Sequence, residues 1–357
     1  MTEVLGRYHL VEPLGGGPTG EVFRAKVYGL AGFERQFAVK RFHAALVQDP
    51  AASEILAVSA RAYGGLSHPR IAAMHELGGA FMAVELVEGL DVARLLAGTS
   101  GAGDPMPLGA RLAILAQVAR VLAYAHGRGV PHLGICPTNA LVTPEGDVKV
   151  CDFGILRARL RGRPADDATL STRLPYLAPE QAAGAPGTPM TDVFALATLG
   201  YELVTGERAF AGKTGAEIAA RVAVGAPRPP DVPDPVAEVF RRAFLVRAED
   251  RFPDAGAFAD ALDGSLRRAS LPGGRADVAA AVRRALARAA EIQSQGISGA
   301  VSFPLPAPPA SIPGTPLTDV FPDGQVPTVP VQKTLLGVPP PPLPPVAAPP
   351  PPPPPPP

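Results

Sequence analysis

Two patterns of apolar and polar positions divide the chain. From about Tyr8 to Glu88 they alternate in short runs, the period-two signature of half-buried strands. His9-Leu10-Val11 and Glu21-Val22-Phe23-Arg24-Ala25 are such runs on either side of a glycine cluster, and Gln36 to Phe42 is a third. Met74-His75-Glu76-Leu77 and Phe81-Met82-Ala83-Val84-Glu85 predict a hairpin around Gly78-Gly79. One helix interrupts the strands: Ala51 to Leu66 is Ala-rich with a helical period and stops at Gly64-Gly65, with Pro69 beyond. From Asp91 onward helical spacing dominates, in Leu108 to His126, Asp192 to Thr205 and Ala255 to Leu262. Arg275 to Gln295 sets Val278, Val282, Leu286 and Ala290 between arginines, which predicts an amphipathic helix over 275–295.

Composition adds a tail to this picture. Of 45 prolines in 357 residues, more than half lie beyond Ala300, and Pro349 to Pro357 is unbroken. Proline lacks the donor and the freedom that a packed core needs, so 296–357 is expected to be disordered and locally polyproline II. Such a tail is either an inert linker or a ligand for a proline-binding module, through Pro339–Pro345 and Pro349–Pro357. Acidic and basic residues balance at 33 each, which gives no bulk charge for nucleic acid or an anionic membrane. No apolar run is expected to reach the ~18–20 residues that span a bilayer. The opening Met1 to Arg7 lacks the pattern of a signal peptide. Two cysteines, Cys136 and Cys151, make no disulfide framework, so a reducing cytoplasm is the expected compartment.

The chemistry concentrates in His132-Leu133-Gly134-Ile135-Cys136-Pro137-Thr138-Asn139 and in Asp152-Phe153-Gly154. These resemble the catalytic loop and metal-binding turn of the protein kinase family, H-R-D-x-K-P-x-N followed by D-F-G. The resemblance covers roughly Tyr8 to Leu266 and is to the bacterial Ser/Thr type. It implies an α+β fold of two lobes within 8–266: a small β-rich N-lobe over 8–88 and a larger α-helical C-lobe over 89–266.

It also implies a site for ATP and Mg²⁺. Leu14-Gly15-Gly16-Gly17-Pro18-Thr19-Gly20-Glu21-Val22 fits the glycine-rich loop G-x-G-x-x-G-x-V, whose amides approach phosphate where no Cβ intervenes. A plain hairpin turn is the alternative use of Gly15, Gly17 and Gly20, and Pro18 removes one donor. Lys40, in Ala38-Val39-Lys40, matches the lysine that contacts the α- and β-phosphates. Asp152 and Asn139 match the Mg²⁺ ligands, although a helix cap and a turn residue are their ordinary uses. Leu14, Val22, Ala38 and Leu141 match the apolar adenine pocket, where plain core packing competes. Glu85-Leu86-Val87 matches the hinge, with Glu85 and Val87 offering backbone groups and Val84 at the gatekeeper position.

Several decisive positions depart from the family. Gly134 stands for the catalytic Asp, Cys136 for the Lys that neutralises the transferring phosphoryl group, and Leu133 for the Arg between them. Ser59 falls where the small-lobe helix carries the Glu that pairs with the strand lysine. Glu54 is five residues away, about 140° around a helix turning ~100° per residue, so it should not face Lys40 without a register shift. Arg173 replaces a Thr of the activation segment, and Thr169, Ser171 and Thr172 read as ordinary loop hydroxyls. Losing a general base typically costs ~10²–10⁴ in rate, and losing an electrostatic group ~10²–10³. Gly134→Asp with Cys136→Lys is expected to recover some transfer, with Ser59 still a limit on it. By contrast Glu180 with Arg251, Asp192, and the column Tyr63–Phe153–His132 match the family's scaffold.

Three functions are compatible with these residues. The preferred one is a pseudokinase that binds ATP and Mg²⁺ and signals to protein partners by conformation. The others are a slow but active Ser/Thr kinase and a scaffold that needs no nucleotide. Cys136 and Cys151 are expected to be small buried apolar residues, with a redox pair as the alternative.

Overall fold

An Asp-Pro pair, a glycine hairpin and short runs of alternating apolar residues lay out the first lobe. The computed structural model describes residues 3–29, 33–99, 105–160, 170–225, 227–228 and 230–294, without the side chains of 292–294. Strands β1 (Val4–Leu5), β2 (Tyr8–Gly17), β3 (Gly20–Tyr28) and β4 (Glu34–Phe42) are followed by helices α1 (Ala44–Gln48) and α2 (Pro50–Gly64) and by strands β5 (Met74–Leu77) and β6 (Phe81–Glu85). The strands form one antiparallel sheet in the order β1-β2-β3-β4-β6-β5. Helix α2 starts where Asp49 accepts hydrogen bonds from the amides of Ala51 and Ala52 and Pro50 fills the first turn. Tyr8, Phe37 and Phe81 pack edge-on within a small core on one side of the sheet.

The second lobe is helical. Strand β7 (Leu90–Asp91) leads into α3 (Val92–Thr99) and α4 (Leu108–His126). Strands β8 (Ala140–Val142) and β9 (Val148–Val150) pair with β7 in a three-stranded sheet under the cleft. Then come α5 (Arg157–Leu160), α6 (Pro179–Ala182), α7 (Pro189–Thr205), α8 (Gly215–Val224), α9 (Asp234–Ala243), α10 (Ala255–Ala269) and α11 (Arg275–Ser294). Thr214 and Asp254 cap α8 and α10, and Gly206 and Gly225 end α7 and α8 in the left-handed conformation that glycine takes without strain. A β-rich lobe over a helical one is the α+β architecture expected from the sequence.

One expectation needs correction. Leu108–His126 has 19 residues and is long and apolar enough to cross a membrane by length and composition. In this fold it is the central helix of the large lobe, packed against α7, α10 and α11, with Leu112, Leu115, Val118 and Leu122 fully buried. Its apolarity answers to burial on nearly all sides. The amphipathic helix α11 lies against α3 and α4 through Val278, Ala281, Val282 and Ala285. Arg275 pairs with Asp147 at 2.5 Å, and Arg283 donates to the Pro144 carbonyl at 2.8 Å. The expected tail over 296–357 lies outside the described residues.

Candidate functional site: the cleft between the lobes

The site is built on a rigid base. Asp192, at the buried start of α7, accepts the amides of His132 at 2.6 Å and Leu133 at 2.7 Å, and also contacts His126 at 2.8 Å. This fixes the backbone of the loop before the catalytic-loop frame, including Leu133 at φ 56°. The His132 ring meets the Cys151 carbonyl at 2.9 Å through Nε2, so that nitrogen carries the proton. Burial holds the ring neutral, with its pKa below the ordinary histidine value, and leaves Nδ1 without a partner among the described residues. The Gly154 amide returns to the His132 carbonyl at 2.9 Å. Phe153 therefore sits between His132 and Tyr63, with ring centroids 4.6 and 5.6 Å away. Below, Arg251 makes two hydrogen bonds to Glu180, at 2.9 and 2.8 Å, and Thr191 adds a third at 2.8 Å. Burial pushes the Glu180 carboxyl up, but these donors outweigh it and hold its pKa below the ordinary glutamate value.

Above this base lies a cleft of about 260 Å³. The glycine hairpin forms its roof, with Leu14, Gly15, Gly17, Gly20 and Val22 all facing in. Two cross-chain contacts hold that hairpin: Arg94 of α3 donates to the Leu14 carbonyl, and His43 meets the Gly17 carbonyl at 2.8 Å. Gly20 has a local reason to be glycine, since a Cβ there would lie 2.1 Å from the Arg41 carbonyl oxygen. Ala38 and Leu141 line the roof and floor, and Glu85 and Val87 line the hinge beside Val84. The Glu85 carboxylate is taken by Lys149 at 2.6 Å and by the Ala73 amide, so its main chain is what it offers to the cleft.

At the inner end Lys40 forms an ion pair with Asp152. Asp152 has φ 68°, a left-handed backbone that is uncommon outside glycine and enriched at functional turns. The Asn139 amide nitrogen donates to the Gly134 carbonyl at 3.0 Å, which leaves its side-chain oxygen as a free acceptor. Asn139 and Asp152 both line the cleft. Two oxygen donors beside a lysine fit a divalent cation that takes its remaining ligands from phosphate and water. When bound, that ion would neutralise phosphate charge, held by Asn139 and Asp152.

The departures also have definite places. Ser59 is buried on α2 with an unpartnered hydroxyl, and it faces Gly154, where a Cβ would lie 3.2 Å from the Ser59 Cβ. Glu54 is exposed, so no carboxylate of α2 replaces the missing partner of Lys40. A Cβ on Gly134 would lie 3.0 Å from the Leu156 Cβ. Leu156 leads into α5, which packs against α2. The side chain that would hold an acceptor hydroxyl is thus absent and its space is closed by Leu156. Restoring Asp at 134 therefore needs Leu156 to give by a few tenths of an ångström. Cys136 is fully buried as expected, but Cys151 is only half-buried by residue, and burial raises its thiol pKa well above the ordinary value. Thr169 lies outside the described residues.

Sequence reasoning did not place Arg173, Asp91 or Arg94 in the cleft. Arg173 donates to the Thr138 hydroxyl at 2.9 Å and also contacts the Cys136 sulfur. Asp91 and Arg94 pair at 3.4 Å at the outer edge, and burial raises the Asp91 pKa against the pull of both arginines. A charged residue in a position the family fills with Thr was the available signal for Arg173. Nothing in the sequence pointed to Arg94, which is 80 positions from Leu14.

The comparisons with known proteins agree with this architecture. The family model described as protein kinase domain matches residues 8–244. The chain belongs to the protein kinase family. Tyrosine-protein kinase MasK of Myxococcus xanthus is 34% identical over 280 residues, covering 74% of this chain and 43% of that protein. Serine/threonine-protein kinase PknA of Mycobacterium tuberculosis is 33% identical over 268 residues, covering 72% of this chain and 61% of that protein. The match thus spans under two thirds of either relative. The crystal structure of the M. tuberculosis PknI kinase domain has a TM-score of 0.55 and 26% identity, covering 74% of this chain and 98% of that one. Members of the family generally use ATP and Mg²⁺.

Proposed function

We propose that this protein kinase domain is a pseudokinase: it binds ATP with Mg²⁺, transfers phosphate very slowly or not at all, and acts on protein partners through its conformation. The observation that carries the reading is the contrast at one cleft. Lys40, Asn139 and Asp152 line it, while Gly134 offers no side chain and Leu156 fills the space above it. Binding needs the first group. Accepting a proton from a substrate hydroxyl needs a side chain at 134, and phosphoryl transfer without one relies on positioning and the remaining charges.

The chain's own residues divide the work as follows. The glycine hairpin and the hinge main chain hold and orient the nucleotide, Lys40 meets its phosphates, and Asn139 and Asp152 hold the metal. No side chain at position 134 orients an acceptor. The assembled column Tyr63–Phe153–His132 favours a second reading, a slow but active kinase, because an ordered base is what transfer would require. The relatives' printed names differ between tyrosine and serine/threonine, so the acceptor under that reading is a protein hydroxyl of either kind. A reducing cytoplasmic setting and a proline-binding partner for the tail belong to the same proposal.

Thermal unfolding with ATP and Mg²⁺, beside a labelled-phosphate transfer assay, tests it. A stabilised protein without transfer is the expected result. Unmoved unfolding would favour the nucleotide-independent scaffold, and robust transfer abolished by Lys40→Met would establish the active kinase.

A further inference from the structure

The cleft that lost a lysine has gained an arginine from another part of the chain. Cys136 removes the cation that the family keeps beside the terminal phosphate. Arg173, on the turn before the 3-10 segment Leu174–Tyr176, reaches back over the catalytic-loop frame into the same space. One terminal nitrogen of its guanidinium donates to the Thr138 hydroxyl at 2.9 Å and contacts the Cys136 sulfur. The other approaches the roof, 3.3 Å from where a Cβ on Gly17 would lie. The guanidinium thus bridges the floor and the glycine hairpin, next to the residue before Asn139.

Its hydrogen-bond partners there are neutral, while the Asp91 carboxylate lies close enough to feel its charge. Among the described residues no carboxylate forms an ion pair with Arg173, whereas Lys40 has Asp152 and Arg94 has Asp91. A half-buried guanidinium with neutral hydrogen-bond partners, facing a cleft that fits a nucleotide, has the charge and the planar fork that suit a phosphate. We propose that Arg173 is the terminal-phosphate ligand of this cleft, replacing the lost lysine and making the protein selective for a nucleoside triphosphate over a diphosphate. The inference rests on the nucleotide-binding reading. It adds that the site distinguishes ATP from ADP even though no catalytic base is present.

The test is calorimetric titration of the full chain with ATP and with ADP, each with Mg²⁺. Wild type should bind ATP about ten- to a hundredfold more tightly than ADP, the size of a hydrogen-bonded charge contact. Arg173→Ala should bring ATP affinity down to that of ADP and leave ADP unchanged, while Arg173→Lys keeps part of the preference. Adding Cys136→Lys to Arg173→Ala should return it, since that restores a cation to the same space from the floor. Unfolding of each variant without nucleotide checks that the fold is intact, and Arg173→Lys carries the test should the alanine variant misfold.

Equal affinities of wild type for ATP and ADP would overturn this inference alone. So would tighter ATP binding by Arg173→Ala, which would make the arginine a plug in the phosphate position. Wild type that binds neither nucleotide would overturn the nucleotide reading and this inference with it.

Discussion

The inner wall of the cleft and its acceptor side carry different chemistry on the same base. On the inner wall Lys40 meets Asp152, and Asn139 turns its amide oxygen free, so the groups proposed to hold phosphate and metal are together. On the acceptor side Gly134, Cys136 and Arg173 stand where a base, a lysine and a threonine belong, and Leu156 packs over the gap. Both rest on one frame, Asp192 under His132 and Leu133 and Phe153 between two rings. The difference teaches that positioning and chemistry are separable here. Backbone hydrogen bonds and ring stacking hold the loop's path without reference to what the side chain at 134 does.

The largest effect expected from breaking this comparison is on the shared base. Arg251 is 1% exposed and makes two hydrogen bonds to Glu180, two to the carbonyls of Leu245 and Val246, and one to Met190. Arg251→Ala should lower unfolding free energy by about 3 kcal/mol in denaturant titration, because it strands a half-buried carboxylate and empties a buried site. A loss below about 1 kcal/mol would mean that the pair contributes only as an exposed one does. Next in size is the nucleotide contribution. ATP with Mg²⁺ at ~100 times its dissociation constant should add about 2.7 kcal/mol. Asp152→Ala should erase that gain in thermal unfolding, since it removes a metal ligand and the partner of Lys40.

The acceptor side responds differently. Gly134→Asp should destabilise the protein by about 1–3 kcal/mol, the usual range for overpacking, because its Cβ meets Leu156. Pairing it with Leu156→Ala should recover only part of that loss, since alanine removes the methyl at 3.3 Å but keeps the Cβ at 3.0 Å. Transfer, measured with labelled phosphate, should appear only in the pair combined with Cys136→Lys. An unstrained Gly134→Asp single variant would show that Leu156 yields easily and that the space is open.

Much of the fold was legible because local signals and packing agree. Leu108–His126 reads as a helix at both ends, and Met74–Leu77 with Phe81–Glu85 reads as a hairpin around Gly78-Gly79. The residues expected to gather at one site do line one cleft, since their motif spacing reports backbone geometry within one loop or strand. What stayed hidden depends on distant segments meeting. Arg173 is 37 positions from Cys136 and Arg94 is 80 from Leu14, and neither pairing leaves a periodic trace. The seat of Leu156 over Gly134 is set by α5 packing on α2, which no pattern in a four-residue helix announces. That Leu108–His126 is long and apolar enough to cross a membrane follows from its place among α7, α10 and α11, because apolar content alone does not distinguish a lipid environment from a surrounding ring of helices.

The smallest expected effect lies in the large lobe away from the cleft, and it sharpens the contrast by marking a spot where the base itself is not optimal. Glu202 of α7 accepts a hydrogen bond from the Tyr176 hydroxyl, just before the segment that carries Glu180. Burial raises its pKa above the ordinary 4.5, while Tyr176 and Arg208 pull the other way and do not overcome it. A raised folded-state value means that the fold prefers the protonated acid. Its contribution is fully present below the ordinary value and is lost as pH rises through the folded one. Glu202→Gln keeps an acceptor for Tyr176 and removes the charge. Its melting temperature should therefore be slightly above wild type near pH 7 and equal to it near pH 4, where the acid is already neutral. A variant less stable than wild type near pH 7 and equal to it near pH 4 would mean that Glu202 works as a charge, through Arg208, and that burial is the weaker effect.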